Sequence, residues 1–380
     1  MFQYFPTNYV WNLSVNIAMN CGAQIGEIDR ICKPLLDISK QGDDAGTEQF
    51  FWSWCAMADT LEHYAAQDVA AGHYLSAGAK FARASTYLMV AERMQARDFE
   101  PRQEAYRRMK ETFALAVEYG RENCEFVDIP FEGSHFPALF VRAEGVTGPA
   151  RTMVFCQGLD SMKEMVYRVG MPAELARRGI STLIIDQPGT GGALRDRGLH
   201  AFHDSERWGS AAFDYLLTRD DVDPAHIGIM GWSLGGYYAP RVAAFESRYA
   251  LCAVWGANYN WGELQKRRLA REGDRPVPHY WSHVQWVFGK QSLEEFMTWA
   301  PCMTLDGVVD KIQVPFLITH GESDRQIPLE FARPQYEGAT ASPKAEWHLF
   351  SDDLGGSSHA SADNEAIATS FLSDWINDNL

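Results

Sequence analysis

Two different hydrophobic patterns divide the chain near Gly120. Before this residue, apolar positions recur every three or four residues over 72–91 and over 101–120, a spacing typical of amphipathic helices. The second stretch begins with proline and ends with glycine, which commonly mark the two ends of a helix. We therefore predict that residues 1–122 form a helical cap domain.

After Gly120, short apolar runs of strand length alternate with helical patterns. Such alternation predicts an α/β fold with a mostly parallel sheet that helices cover on both faces, here over 123–380. A tight turn at Gly133 and Ser134 joins the first two runs, so these should be antiparallel and lie at one edge. The predicted strands lie at 125–133, 135–142, 152–156, 181–186, 227–230, 250–255, 315–319 and 346–350.

The segment 256–312 is too long to be a simple connection between two strands. It is rich in aromatic residues, and we predict a lid insertion over the functional site. Alternatively, these aromatic side chains only pack the insertion against the helices of the cap. These aromatic residues include Trp261, Tyr280, Trp281, Trp286, Phe288, Phe296 and Trp299.

The charge and cysteine content narrow the range of partners and compartments. The 380 residues carry a formal net charge of −16, which disfavours nucleic acid and anionic membrane surfaces as partners. The seven cysteines are odd in number and scattered, without C-x-x-C or zinc-ligand spacing. The first residues have no basic region like that of a secretory signal, and no apolar run reaches the roughly 18 residues of a membrane span. We therefore expect a cytoplasmic protein with reduced thiols.

The run at 227–230 leads into a G-x-S-x-G sequence centred on Ser233. Gly231 and Gly235 allow a sharp turn between a strand and a helix, with the serine hydroxyl pointing outward. The following helix directs its free N–H groups and positive dipole end towards that position. This context predicts that Ser233 is a nucleophile.

A serine nucleophile needs a base and an acid that orients the base. Asp324 follows the strand predicted at 315–319, at the edge where parallel sheets carry functional groups. Glu322 is the alternative acid. His359 follows the last strand in a glycine-containing loop, whereas His348, the other histidine after the acid, lies within that strand. The order Ser233, Asp324, His359 fits a catalytic triad.

Two backbone N–H groups are candidates for an oxyanion hole, those of Leu234 and of Leu159. The neighbouring Gly158 allows the backbone to approach a ligand closely. The glycine-rich loop at 186–192 lacks the spacing of a phosphate-binding loop, so we expect no nucleotide site there.

Three motifs resemble the α/β-hydrolase superfamily: Gly-Leu-Asp-Ser-Met-Lys-Glu at 158–164, the stretch around Ser233 at 222–241, and His-Gly-Glu-Ser-Asp-Arg-Gln-Ile-Pro at 320–328. More narrowly, they resemble the group that includes 2,6-dihydroxypseudooxynicotine hydrolase, fungal polyketide-shortening hydrolases and bacterial fermentation-respiration switch proteins. This resemblance implies hydrolysis of a carbon–carbon bond next to a carbonyl, with no metal and no organic cofactor. It also implies an additional acidic residue about thirty positions after the serine, where Glu263 stands.

The pattern leaves several alternatives open. Glu263 is either a catalytic or substrate-binding group or a solvated residue at a helix start, and Trp232, Tyr259 and Trp261 are candidates for the substrate pocket. The expected substrate is an apolar, aromatic or polyketide-like small molecule. The same groups could hydrolyse an ester or a lactone, or catalyse an acyl-transfer cyclisation. A regulatory or scaffolding protein with an idle hydrolase core is the non-enzymatic alternative, and a homodimer stays open.

Overall fold

A computed structural model describes residues 1–271 and 275–380. The chain divides into two compact units. The first contains Met1–Cys124 and Arg275–His283, and the second contains Glu125–Asp274 and Val284–Leu380. The division after Cys124 lies two residues beyond the boundary predicted from sequence. Residues 275–283, from the predicted insertion, group with the N-terminal unit.

The first unit is built from helices. The helices predicted over 72–91 and 101–120 are antiparallel neighbours, because the start of one contacts the end of the other: the rings of Tyr74 and Tyr119 stack with centroids 5.6 Å apart. At the opposite end of the pair, the Nε atom of Arg102 lies 2.6 Å from Oε1 of Glu92. The helices are α1 (Tyr9–Asn20), α2 (Ile25–Cys32), α3 (Thr47–Ala70), α4 (Tyr74–Arg93) and α5 (Pro101–Gly120).

The second unit contains an eight-stranded sheet in the order β1-β2-β4-β3-β5-β6-β7-β8. β1 pairs antiparallel with β2 and β2 with β4, and the other pairs are parallel. The predicted fold class and the antiparallel edge hairpin are confirmed. The strands are β1 (Glu125–Phe131), β2 (Ser134–Val141), β3 (Ala150–Cys156), β4 (Ile180–Ile185), β5 (Val222–Trp232), β6 (Leu251–Trp255), β7 (Phe316–Gly321) and β8 (Ala345–Phe350).

Every residue of β4, β6 and β7 is buried, as expected for strands that helices cover on both faces. The hairpin turn lies at Glu132 and Gly133, one position before the predicted turn, because both residues adopt left-handed backbone angles there. The remaining helices are α6 (Lys163–Val169), α7 (Met171–Arg177), α8 (Gly191–Arg195), α9 (Glu206–Leu216), α10 (Gly235–Phe245), α11 (Trp261–Arg271), α12 (Tyr280–Val287), α13 (Leu293–Trp299), α14 (Arg333–Glu337) and α15 (Glu365–Asn379).

Aromatic side chains of the insertion within the second unit pack against one another. The ring centroid of Phe288 lies 5.1 Å from that of Trp261 and 4.8 Å from that of Trp299, and Phe296 lies 5.8 Å from Phe288. These tilted contacts form a small apolar core for α11 and α13. Across the described residues, no helix is long and apolar enough to cross a membrane.

Candidate active site

Ser233 lies at the carboxyl end of β5 in a left-handed backbone conformation with φ of 55°. This conformation is strained for a residue with a side chain, and it turns the chain abruptly from β5 into α10. The two flanking glycines are required by close packing. A Cβ on Gly231 would lie 2.4 Å from the carbonyl oxygen of Gly235, and one on Gly235 would lie 2.9 Å from that of Cys156.

A continuous chain of hydrogen bonds joins the three residues of the predicted triad. Oγ of Ser233 lies 2.8 Å from Nε2 of His359, and Nδ1 of His359 lies 2.8 Å from Oδ2 of Asp324. An ionised carboxylate can only accept, so the Nδ1–H of His359 donates to Asp324. The Nε2 lone pair then faces the hydroxyl of Ser233. In this arrangement the imidazole can take the serine proton.

Asp324 is buried, but N–H groups of its own loop donate hydrogen bonds to its carboxylate. Its Oδ1 accepts hydrogen bonds from the backbone amides of Gln326 and Ile327, at 2.8 and 2.9 Å. Burial alone would raise the pKa of Asp324. Attraction to His359, the hydrogen bond from it and the amide donors outweigh burial, and hold the pKa below its usual value. Asp324 is therefore ionised at neutral pH.

The alternative acid, Glu322, does not reach His359. It is exposed, and its Oε2 accepts from the backbone amide of Asp352 at 3.3 Å. The hydrogen bond to the histidine is made by Asp324 instead.

A carboxylate that sequence reasoning missed holds the loop of His359 in shape. Oδ2 of Asp363 accepts from the amide of Gly356, and its Oδ1 accepts from that of Ser358, both at 2.8 Å. Ser361 has a positive φ of 56°, and its Oγ accepts from Nε1 of Trp255 at 3.1 Å. The sequence signal for Asp363 was its position four residues after His359 in a glycine-containing loop, since Asp side chains commonly bind backbone N–H groups in turns.

The two N–H groups predicted for the oxyanion hole belong to segments beside Ser233. Leu234 is the N-cap of α10, whose positive end therefore lies next to the serine. Leu159 directly follows Gly158, which lies close to Ser233. A Cβ added to Gly158 would be 3.1 Å from Cβ of Ser233. Within the described residues, neither Leu159 nor Leu234 donates its backbone N–H to a protein acceptor. Both donors thus remain for an oxyanion.

Glu263 lies in the first turn of α11, and 54% of its side chain is exposed. Its Oε2 lies 3.1 Å from Nζ of Lys266, and its backbone amide donates to Oδ1 of Asn260. This exposed position fits a solvated residue at a helix start, which is one of the two interpretations of Glu263 that the sequence leaves open.

The other pocket candidates have different surroundings. Trp232 is buried and its Nε1 donates to Oγ of Ser161 at 3.2 Å, directly beside the candidate oxyanion loop. Tyr259 donates its hydroxyl to Oδ1 of Asp306 at 2.5 Å; burial, followed by this hydrogen bond, raises the pKa of Tyr259 to about 12. Trp261 is buried within the aromatic cluster of the insertion. Of the three, Trp232 has the most direct link to the candidate site.

Comparison with known proteins shows the family of this chain. A model of the prolyl oligopeptidase family matches residues 171–333, which include Ser233 and Asp324. The 2,6-dihydropseudooxynicotine hydrolase of Paenarthrobacter nicotinovorans is 30% identical over 286 residues, which span 74% of this chain and 72% of that protein. A hydrolase from a Fusarium species is 25% identical over 100% of this chain and 98% of its own length.

Solved structures agree on the fold. The crystal structure of 2,6-dihydroxy-pseudo-oxynicotine hydrolase superimposes with a TM-score of 0.76 at 24% identity, over 96% of this chain and 95% of that chain. The sheet order, the serine turn at the end of β5 and the relatives lead to one conclusion. The chain is a hydrolase that belongs to the α/β-hydrolase superfamily, in the family of 2,6-dihydropseudooxynicotine hydrolase.

Proposed function

We propose that this enzyme is a serine hydrolase in which Ser233, His359 and Asp324 form the catalytic triad. The single observation that carries the proposal is the hydrogen-bonded chain from Oγ of Ser233 through His359 to Asp324, with 2.8 Å at each step. The left-handed conformation of Ser233 and the free N–H groups of Leu159 and Leu234 support the same assignment.

We further propose that the bond cleaved is a carbon–carbon bond adjacent to a carbonyl, in an aromatic or polyketide-like small molecule. The support is the resemblance of the three motifs and the relative named for 2,6-dihydropseudooxynicotine. No metal or organic cofactor takes part in this proposal. Ester or lactone hydrolysis and acyl-transfer cyclisation use the same groups, and they are the alternative outcomes of the test below.

The proposed reaction proceeds in two halves. Oγ of Ser233 adds to the ketone carbonyl while His359 takes the serine proton, and the carbonyl oxygen becomes an oxyanion held by the N–H groups of Leu159 and Leu234. The oxyanion collapses and the carbon–carbon bond breaks with its electron pair on the leaving carbon. The imidazolium of His359 returns its proton to that carbon, so no separate acid such as Glu263 is required. Water, deprotonated by His359, then releases the acid from Ser233.

The test is a panel of p-nitrophenyl esters, aryl lactones and aryl 1,3-diketones, assayed with the wild type and with Ser233→Ala and His359→Ala. Nucleophile and base act as one unit, so each variant should lose activity by several orders of magnitude and by similar amounts. His226→Ala is the control, because this exposed histidine pairs with Asp223 at the surface and should keep full turnover.

Product analysis separates the reaction types. Carbon–carbon cleavage of a 1,3-diketone yields one carboxylic acid and one ketone, and consumes one water. Preferred turnover of an ester or lactone, or release of a cyclic product, would favour the corresponding alternative. Failure of a fluorophosphonate to label Ser233, together with full activity of Ser233→Ala, would reject the serine mechanism altogether.

A further inference from the structure

The hydroxyl of Ser161 connects the loop after β3 to the strand that carries Ser233. Its Oγ lies 2.8 Å from the backbone nitrogen of Gly158, 3.2 Å from Nε1 of Trp232 and 3.0 Å from Oε1 of Gln157. Ser161 is only 5% exposed, so these are its partners in place of water. Trp232 is the residue immediately before Ser233.

The direction of each bond follows from the chemistry of the groups. A backbone N–H and an indole N–H can only donate, so Gly158 and Trp232 occupy both lone pairs of the Ser161 oxygen. The single hydroxyl proton must then go to the amide oxygen of Gln157. Every hydrogen-bonding capacity of the hydroxyl is used, which fixes it in one orientation.

The opposite side of the same loop is held by the residues after β4. Oε1 of Gln187 accepts from the backbone nitrogen of Gln157, and its Nε2 donates to the carbonyl oxygen of Gln157, both at 3.0 Å. Farther along, the backbone nitrogen of Lys163 donates to Oδ1 of Asp186 at 2.8 Å. The loop is therefore anchored on either side of Leu159, whose own N–H donates to no acceptor in the described chain.

The anchored backbone lies against the nucleophile. A Cβ on Gly158 would approach Cβ of Ser233 to 3.1 Å and its Oγ to 3.3 Å. A shift of a few tenths of an ångström in this segment would thus change the distance between the Leu159 N–H and an oxyanion formed on Ser233. Oxyanion stabilisation depends steeply on such distances.

We propose that Ser161 is the positioning residue of the oxyanion hole. It fixes the backbone at Gly158 and Leu159 relative to Ser233 by binding the loop and Trp232 with one oxygen. This inference rests on the proposed serine mechanism. Ser161 itself does not contact the reacting atoms, and its effect is exerted through the Leu159 N–H.

The primary test is Ser161→Ala, assayed on a p-nitrophenyl ester with the full-length enzyme. The substitution leaves two buried N–H donors without an acceptor, so the loop should shift to satisfy them. We expect kcat to fall about 10- to 100-fold, below the loss for complete removal of an oxyanion donor, with KM unchanged within about twofold. Ser161→Thr retains the hydroxyl and should recover most of the lost kcat.

A tetrahedral mimic distinguishes positioning from general loss of structure. An aryl trifluoromethyl ketone forms a bond from its carbonyl carbon to Oγ of Ser233, while the serine proton moves to His359 and the carbonyl electron pair becomes an oxyanion. Its inhibition constant should rise by the same factor as kcat/KM falls. The affinity for the product carboxylic acid should stay unchanged.

Ser181→Ala is the matched control. Ser181 is 2% exposed, and its Oγ accepts a hydrogen bond from the backbone amide of Ala143 at 3.0 Å, near the amino-terminal end of β4. The Ser181→Ala substitution removes a comparable buried hydroxyl at the amino-terminal end of the strands, opposite the end that carries Ser233. It should leave kcat and inhibition by the ketone unchanged. If Ser161→Ala fails to fold, Trp232→Phe removes one of the two donors and should lower kcat about 3- to 10-fold with a parallel rise in the inhibition constant.

Two results would overturn the inference while leaving the serine mechanism intact. One is an unchanged kcat in folded Ser161→Ala, or in Trp232→Phe if the alanine variant does not fold. The other is a fall in kcat without any change in inhibition by the ketone. Full turnover by Ser233→Ala would instead reject the proposed function on which the inference rests.

Discussion

At the scale of single residues, the candidate site depends on the hydrogen bonds that stabilise the ionised carboxylate of Asp324. The carboxylate receives two backbone amides on one oxygen and the His359 N–H on the other, so ionisation is stabilised although the side chain is buried. A buried carboxylate without such donors would be protonated near neutral pH and could not orient the imidazole. The loop 324–327 thus supplies the negative charge that the proposed triad needs.

This arrangement predicts the pH dependence of activity. The pKa of Asp324 in the folded enzyme lies below its ordinary value, so the carboxylate stays ionised at every pH above about 4. The acid limb of kcat/KM should therefore have a slope of one proton, from a group other than Asp324. The measurement is kcat/KM of an activated ester from pH 4.5 to 8, and a limb with a slope of two would contradict the assignment.

Asp324→Asn supplies the matched variant for that profile. The amide keeps the shape of the side chain but removes the charge, and it allows the wrong imidazole tautomer, so turnover should fall by about 10³- to 10⁴-fold at neutral pH. Glu322→Gln at the exposed neighbouring position should retain full turnover. Loss of activity in Glu322→Gln, with activity kept in Asp324→Asn, would reverse the assignment of the acid.

Some residues of the candidate site could be predicted from the sequence, whereas others could be identified only from the structure. Ser233, Asp324 and His359 could be predicted because each stands in a short motif at the end of a predicted strand. Ser161 and Gln187 could not, because their proposed roles depend on contacts among the loops after β3 and β4 and the last residue of β5. A residue spacing also cannot report solvent exposure, so it could not decide between the two interpretations of Glu263.

At the scale of elements, α4 and α5 are held together by a buried ion pair as well as by apolar packing. The side chains of Glu92 and Arg102 are 1% and 4% exposed, with Nε and Oε1 2.6 Å apart. Two charges removed from water are tolerated only as a pair. The helical periodicity of 72–91 and 101–120 predicted both helices, but not this pair, because charged residues at such positions are usually exposed.

Glu92→Gln should strongly destabilise the first unit. The substitution preserves the size of the side chain and an acceptor oxygen but removes the negative charge from the buried pair with Arg102, at a cost of about 3–5 kcal/mol in the free energy of unfolding. Chemical denaturation followed by circular dichroism measures the change. Glu104→Gln on α5 breaks an exposed pair with Arg107 and should leave the unfolding midpoint unchanged. Equal midpoints for both variants would contradict the prediction.

At the scale of the whole molecule, the two compact units are not simply consecutive stretches of the sequence. Residues 275–283 follow α11 of the second unit, yet they belong to the first unit with residues 1–124. Hydrophobic periodicity predicted an insertion within 256–312, since the gap between β6 and β7 is too long for a connection. It could not assign part of that insertion to the other unit, because that grouping depends on contacts between residues far apart in the sequence, some of which are polar.

Arg93 makes one of these contacts, and its removal should loosen the segment. This arginine is 3% exposed; its Nη2 donates to the carbonyl oxygen of Pro276 at 2.7 Å, and its Nη1 donates to Oγ of Ser14 at 2.9 Å. A second contact, from the amide of His279 to Oδ1 of Asp44 at 2.8 Å, fixes the other end. The segment is therefore held to the helices by directional bonds that Arg93→Met would partly remove while keeping the apolar volume.

Hydrogen exchange of the backbone amides measures this effect directly. A hydrogen bond from a charged donor contributes about 1.5–3 kcal/mol, so local opening of residues 277–283 should become at least about tenfold more frequent in Arg93→Met. Amides of β5 should exchange at the wild-type rate, because that strand lies in the second unit. Arg107→Met, at an exposed position, serves as the control. Unchanged exchange over 277–283 would mean that Arg93 does not hold the segment, whereas faster exchange throughout the chain would indicate global destabilisation instead.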